Sequence, residues 1–180
     1  MRSNVIRLCL LVSLVSMFVF QNRAQAGETI KSAGDVTTVL LPATAGITSL
    51  LLQDYTGTKQ LVEATALSLG VTLALKYTVN ERRPNGEDYS FPSGHSAISF
   101  SSAEFIRKRY GWEYGLPAYA AATFVGYSRI ESDQHYFHDV LAGALIGIGS
   151  SYLFTTPYSR LDVSGEAGAG YYGIKVGSTW

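Results

Sequence analysis

KYTVNERRPNGEDYSFPSGH, residues 76–95, is the stretch on which the reading of the fold turns. It leaves an apolar run at Lys76 and passes through charged and amide residues. Pro84 and Asn85-Gly86 mark a loop there. The chain then enters a helix-forming run at Pro92-Ser93-Gly94-His95. A second stretch, SRIESDQHYFHD at residues 128–139, has the same character and lies between two further apolar runs. Each reads as a link between two helices of a bundle.

Working outward, the apolar runs are Val36 to Leu52, Leu61 to Val79, Ser93 or Gly94 to Arg109, Leu116 to Tyr127 and Asp139 to Phe154. The first two are each close to the length that crosses a bilayer, though only moderately hydrophobic. With residues 27–35 outside, the first run goes in and the second comes out, which leaves Lys76 to Ser90 outside. The third goes in and ends on Arg107-Lys108-Arg109, placed as cytoplasmic charges are. The fourth comes out, so Ser128 to Asp139 joins the first loop on the outer side. A soluble up-down bundle would also group alternate loops at one end. The fold predicted is all-α: a helical bundle embedded in a membrane, with a short Gly-rich C-terminal tail. Gly143, Ala144 and Gly147 give the last helix the small-residue spacing of a close helix contact.

Composition narrows the partners. With 180 residues the chain makes one domain; apolar residues are 47% and charged residues 16%, and Lys+Arg and Asp+Glu balance at 14 each. No global field points to nucleic acid. The only cysteine, Cys9, excludes an internal disulfide and a cysteine metal site, and Arg7 argues against a lipoprotein cysteine. Arg2 and Arg7, the apolar run Leu8 to Phe20 and Ala24-Gln25-Ala26 form an export signal cleaved after Ala26. The alternative is an uncleaved first membrane helix. The organisation is therefore residues 1–26 as signal, 27–157 as the helical domain and 158–180 as a Gly/aromatic tail. In the tail Tyr172, Ile174, Val176 and Trp180 alternate with smaller or polar residues, a weak strand signal.

The polar loops carry the chemistry. Lys76 supplies a point charge, and Arg83, held just past a helix end by Pro84, supplies a fork matching two phosphate oxygens. Ser93-Gly94-His95 opens a helix whose free N–H groups favour an anion. Ser93 can donate to that anion or cap the helix, Gly94 lets the backbone approach it, and His95 can be acid or base. His135 and Asp139, four apart on a helix, allow the carboxylate to accept from Nδ1–H and leave Nε2 free as a nucleophile. Arg129, after Ser128, adds an anion clamp. His138 reads as a structural or rim residue. Lys76, Arg83 and Arg129 would repel a cation, so no metal is expected in this pocket.

Taken together, K-x6-R-P at Lys76, Arg83 and Pro84, P-S-G-H at Pro92 to His95 and S-R-x5-H-x3-D at Ser128, Arg129, His135 and Asp139 resemble the type 2 phosphatidic acid phosphatase superfamily, which includes the vanadium haloperoxidases. The likeness spans roughly residues 35–155. It implies a two-step phosphoryl transfer. His135 attacks phosphorus, Asp139 orients it, and His95 protonates the leaving oxygen. Lys76, Arg83, Ser93, Gly94 and Arg129 hold the non-bridging oxygens, with no cofactor. The substrate expected is a phosphorylated lipid in the membrane: lipid A, undecaprenyl diphosphate, phosphatidic acid or phosphatidylglycerol phosphate. The site is expected to face the periplasm from a bacterial inner membrane. A soluble periplasmic acid phosphatase is the alternative, and a vanadium haloperoxidase a more distant one.

Overall fold

Helix α1 (Arg2–Leu51) opens the chain in a computed structural model. The structure describes the backbone of residues 2–158, 160–168 and 171–179, and the side chains of residues 27–158. The signal segment expected over residues 1–26, with its expected cleavage after Ala26, lies outside the residues whose side chains are described.

Gln53, in the left-handed region at φ 56°, turns the chain out of α1. Asp54 then caps α2 (Tyr55–Val79) by accepting the Gly57 N–H at 2.9 Å. Residues 55–60, which lie before the second apolar run, are thereby the first turns of the helix. A Cβ at Gly57 would sit 2.1 Å from Asp54 Oδ2 and 3.0 Å from Arg109 Nε, so only glycine admits the ion pair packed there. Arg109 donates to Asp54 through Nε at 2.7 Å and Nη2 at 2.5 Å. Burial raises the Asp54 carboxyl, but Arg109, the Gly57 N–H and the Tyr110 hydroxyl outweigh it and hold the group below its ordinary value.

Helix α2 ends where Asn80, left-handed at φ 44°, returns its N–H to Lys76 O at 3.1 Å. Arg83 therefore lies in the loop, as Pro84 requires. Ser93 caps α3 (Gly94–Tyr110), and Gly111 at φ 100° ends it. Helix α4 (Trp112–Glu131) starts earlier and ends later than the apolar run suggests. It holds Pro117 in its second turn and carries Ser128 and Arg129 in its last. Helix α5 (Phe137–Phe154) is capped by Tyr136, whose N–H donates to Asp139 Oδ2 at 2.9 Å. His135 thus precedes the helix rather than riding on it.

Helix α3 is central and touches each of the other four helices. In its first half the buried face is small: Ser96, Ala97, Ser99, Ser101, Ser102 and Ala103. The contact with α5 is backbone on backbone. A Cβ at Gly143 would lie 2.3 Å from Ser93 O, and one at Gly147 would lie 2.2 Å from Ala97 O. The glycine spacing noted in the sequence is this contact. Larger side chains, among them Leu41, Leu61, Phe105 and Ile106, form a cluster among α1, α2, α3 and α4.

Outer faces are apolar: Val36, Val39, Leu40, Ile47, Leu73, Leu116, Leu141, Leu145 and Leu153 are all exposed. By length and composition, Gly27–Leu51 and Phe137–Phe154 are able to cross a membrane. Such faces suit a lipid surround. At the end away from the polar loops, Arg107 bonds Glu104 at 2.6 Å, Lys108 lies 3.8 Å over the Tyr152 ring, and Arg109 holds Asp54. The basic cluster is therefore partnered inside the fold. Beyond it, β1 (Arg160–Gly168) pairs antiparallel with β2 (Tyr171–Thr179), with Val163 opposite Val176. The alternation in the tail is this hairpin.

Candidate active site

Both polar loops meet at one end of the bundle, around a cavity of about 280 Å³. Thr38, Lys76, Arg83, Gly94, His95, Ile98 and His135 line it. Five of these are residues singled out from the sequence, brought together from α2, α3 and the links after α2 and α4.

Each is held by identifiable partners. Lys76 Nζ donates to Tyr89 O at 2.7 Å and Ser90 O at 3.3 Å, which leaves a third hydrogen for a ligand. Arg83 Nη1 donates to Glu87 Oε2 at 2.9 Å, while its Nε is buried with no partner among the described residues. An unpaired guanidinium N–H at a cavity wall is a donor waiting for an acceptor. Gly94 gives the wall a side with no Cβ; the nearest atom to one would be Thr72 Cγ2 at 3.8 Å.

His135 is buried and its Nδ1 stands 3.4 Å from both Asp139 Oδ2 and Ser90 Oγ. The Asp139 carboxylate is fully buried; its Oδ2 accepts from the Ser90 hydroxyl at 2.5 Å and the Tyr136 N–H at 2.9 Å. Burial, reinforced by the cations of Lys76 and Arg83, pushes the His135 imidazole well below its ordinary value; Asp139 pulls the other way and loses. The ring is therefore neutral near pH 7, and a carboxylate at Nδ1 favours the tautomer with its lone pair on Nε2.

Two expected phosphate holders stand elsewhere. The Ser93 hydroxyl accepts from the Ser96 N–H at 3.4 Å and lies 3.1 Å from Ser96 Oγ, so it acts as the helix cap. Arg129 is buried beside the cavity, not on its lining. Its Nη1 donates to Asp35 Oδ1 at 2.6 Å, its Nη2 to Lys31 O at 2.6 Å, and its Nε to Ser128 Oγ at 3.0 Å.

Asp35 is the residue that sequence reasoning missed. The same oxygen that takes Arg129 lies 3.0 Å from His95 Nε2. One carboxylate oxygen thus sits between an imidazole and a guanidinium, where an oxyanion would be welcome. It reaches them because α1 packs tightly on α4: a Cβ at the adjacent Gly34 would fall 2.0 Å from Ser128 Oγ. Ser90 was missed as well. Neither residue has a motif spacing that ties it to the site; an acid just before the first apolar run was the only signal for Asp35.

Comparison with known proteins follows the same outline. The sequence model of the PAP2 superfamily matches residues 57–161. A lipid A 4'-phosphatase of Helicobacter pylori is 32% identical over 84% of this chain and 85% of its own. A lipid A 1-phosphatase of Porphyromonas gingivalis is 41% identical over 46% of this chain and 20% of its own. Among solved structures, LpxE of Aquifex aeolicus superposes with a TM-score of 0.63 at 24% identity, over 72% of this chain and 84% of that one, a likeness of fold.

Proposed function

The chain belongs to the PAP2 superfamily, and on that premise we propose that it is an envelope phosphatase that hydrolyses a phosphate ester of lipid A or a related lipid through a phosphohistidine at His135. The observation that carries this is the cavity at the bundle end, where a neutral, carboxylate-held imidazole meets Lys76 and the unpaired Arg83 Nε. The names of the relatives favour lipid A over undecaprenyl diphosphate, phosphatidic acid or phosphatidylglycerol phosphate.

In the first step His135 Nε2 bonds to phosphorus as the P–O bond to the lipid breaks. His95 delivers a proton to the departing oxygen, and Asp139 stabilises the positive ring through Nδ1–H. In the second, water attacks phosphorus, His95 takes its proton, and the P–N bond breaks to release phosphate. Lys76, Arg83 and the Gly94 backbone hold the non-bridging oxygens, joined by Arg129 once the ligand displaces Asp35. These cations do the electrostatic work that a metal ion does in other phosphatases, so turnover requires none. The site faces the periplasm, with the Arg107-Lys108-Arg109 end toward the cytoplasm.

The test is release of inorganic phosphate by purified, detergent-solubilised protein from lipid A, the other lipid phosphates and soluble monoesters. Lipid A turnover lost in His135→Ala supports the reading. Normal turnover by His135→Ala refutes the mechanism, and a preference for soluble esters refutes the lipid assignment.

A further inference from the structure

At the rim of the pocket, Glu81 Oε1 lies 2.9 Å and Asp139 Oδ1 lies 3.2 Å from one atom, Nε2 of His138. These ligand atoms all fall within 4.8 Å of one another. Glu81 comes from the link after α2, His138 and Asp139 from the first turn of α5.

Hydrogen bonding cannot satisfy this group. Nε2 carries at most one hydrogen, and its hydrogen-bond partner is Glu81. Protonating the ring adds a hydrogen at Nδ1, not a second one at Nε2. Asp139 Oδ1 is accordingly left buried with no donor among the described residues, in a side chain that is 0% exposed. An orphaned buried carboxylate oxygen is costly unless something fills the gap.

We propose that Glu81, His138 and Asp139 bind a divalent cation of the zinc class, and that its binding slows the phosphatase. One imidazole nitrogen and two carboxylate oxygens form a three-ligand set with a fourth position open to solvent. Tetrahedral ligands at zinc distances stand about 3.4 Å apart, near the two separations observed. His138 is half exposed, so the ion enters from outside. The nearby loop arginines each have a carboxylate beside them, Asp88 at Arg82 and Glu87 at Arg83 Nη1. The Asp139 carboxylate divides this site from the phosphate cavity, since Oδ2 faces His135 and Oδ1 faces His138. A cation on Oδ1 draws charge from Oδ2, weakens its hold on His135 Nδ1–H and lowers the nucleophile's reactivity.

The inhibitory half rests on the proposed role of Asp139; the binding half does not, and two measurements separate them. Chelator-stripped full-length protein is titrated with zinc chloride by calorimetry. One site is expected, weakened at least ~10-fold in both Glu81→Gln and His138→Asn. No binding, or unchanged affinity in either variant, overturns the site. Phosphate release is then followed with zinc added. Wild type is expected to slow and to recover with chelator, while both variants, active in chelator, resist zinc. Binding with undiminished turnover overturns the inhibition.

Discussion

Asp35→Asn tests whether the resting pocket is already occupied by the protein's own carboxylate. The amide keeps an acceptor at the same place for Arg129 and His95 but removes the charge. Asp35 Oδ1 lies 2.6 Å from Arg129 Nη1 and 3.0 Å from His95 Nε2. Hydrogen bonds to charged groups contribute about 1.5–3 kcal/mol and neutral ones about 0.5–1.5 kcal/mol, so the exchange loosens the grip by about 1 kcal/mol. The Asp35 side chain is 46% exposed, which keeps the effect at that lower end. An incoming oxyanion then has less to displace, and vanadate, a phosphate mimic, should bind about fivefold more tightly. The same substitution removes the anion that supports a protonated His95, so kcat should fall while KM also falls. Vanadate inhibition and steady-state hydrolysis on purified wild type and variant give both numbers. Unchanged or weaker vanadate binding would refute the competition.

Further perturbations probe the frame. Gly147→Val drives a side chain into Ala97 O and should lower the unfolding temperature, by an overpacking cost of about 1–3 kcal/mol; an unshifted transition in detergent counts against the α3–α5 contact. Gly34→Ala should spare the unfolding midpoint more than activity, because the methyl group lands on Ser128 and Arg129; equal loss of both contradicts this. Arg109→Met strands the buried Asp54 carboxylate and should cost about 3–5 kcal/mol, read by thermal unfolding. For pH, a lowered imidazole stays neutral to more acid conditions, so in chelator the acid limb of kcat/KM should fall below pH 6.5; a limb at that ordinary value argues against His135 as nucleophile.

The bundle was largely legible because apolar runs and Gly, Pro and Asn punctuation are local signals. Helix starts were less so: Asp54 extends α2 back beyond its apolar run, because the carboxylate that caps at Gly57 is held by Arg109 from across the fold. In the site, Lys76, Arg83, Gly94, His95 and His135 could be picked out by type and spacing, and the cavity collects them. What escaped was partner choice. Asp35 belongs to a helix that meets the site only through packing on α4, and Ser93 shows a serine's alternative use as a cap, which residue type alone leaves open.

Gly143 and Gly147 also govern how the enzyme fails. Helix α5 brings Asp139, helix α3 brings Ser93 and His95, and the Ser93 N–H donates to Asp139 O at 3.0 Å across their contact. With glycines four residues apart, the helices can re-seat only by a slip of about 6 Å, which would part Asp139 from Ser90 and Ser93. Intermediate settings would bring side chains against the α3 backbone, where only glycine fits. Heat or detergent should therefore not wear activity down gradually within a folded population. Each molecule is either fully competent or inert, and the inactivation curve traces the parting of two helices.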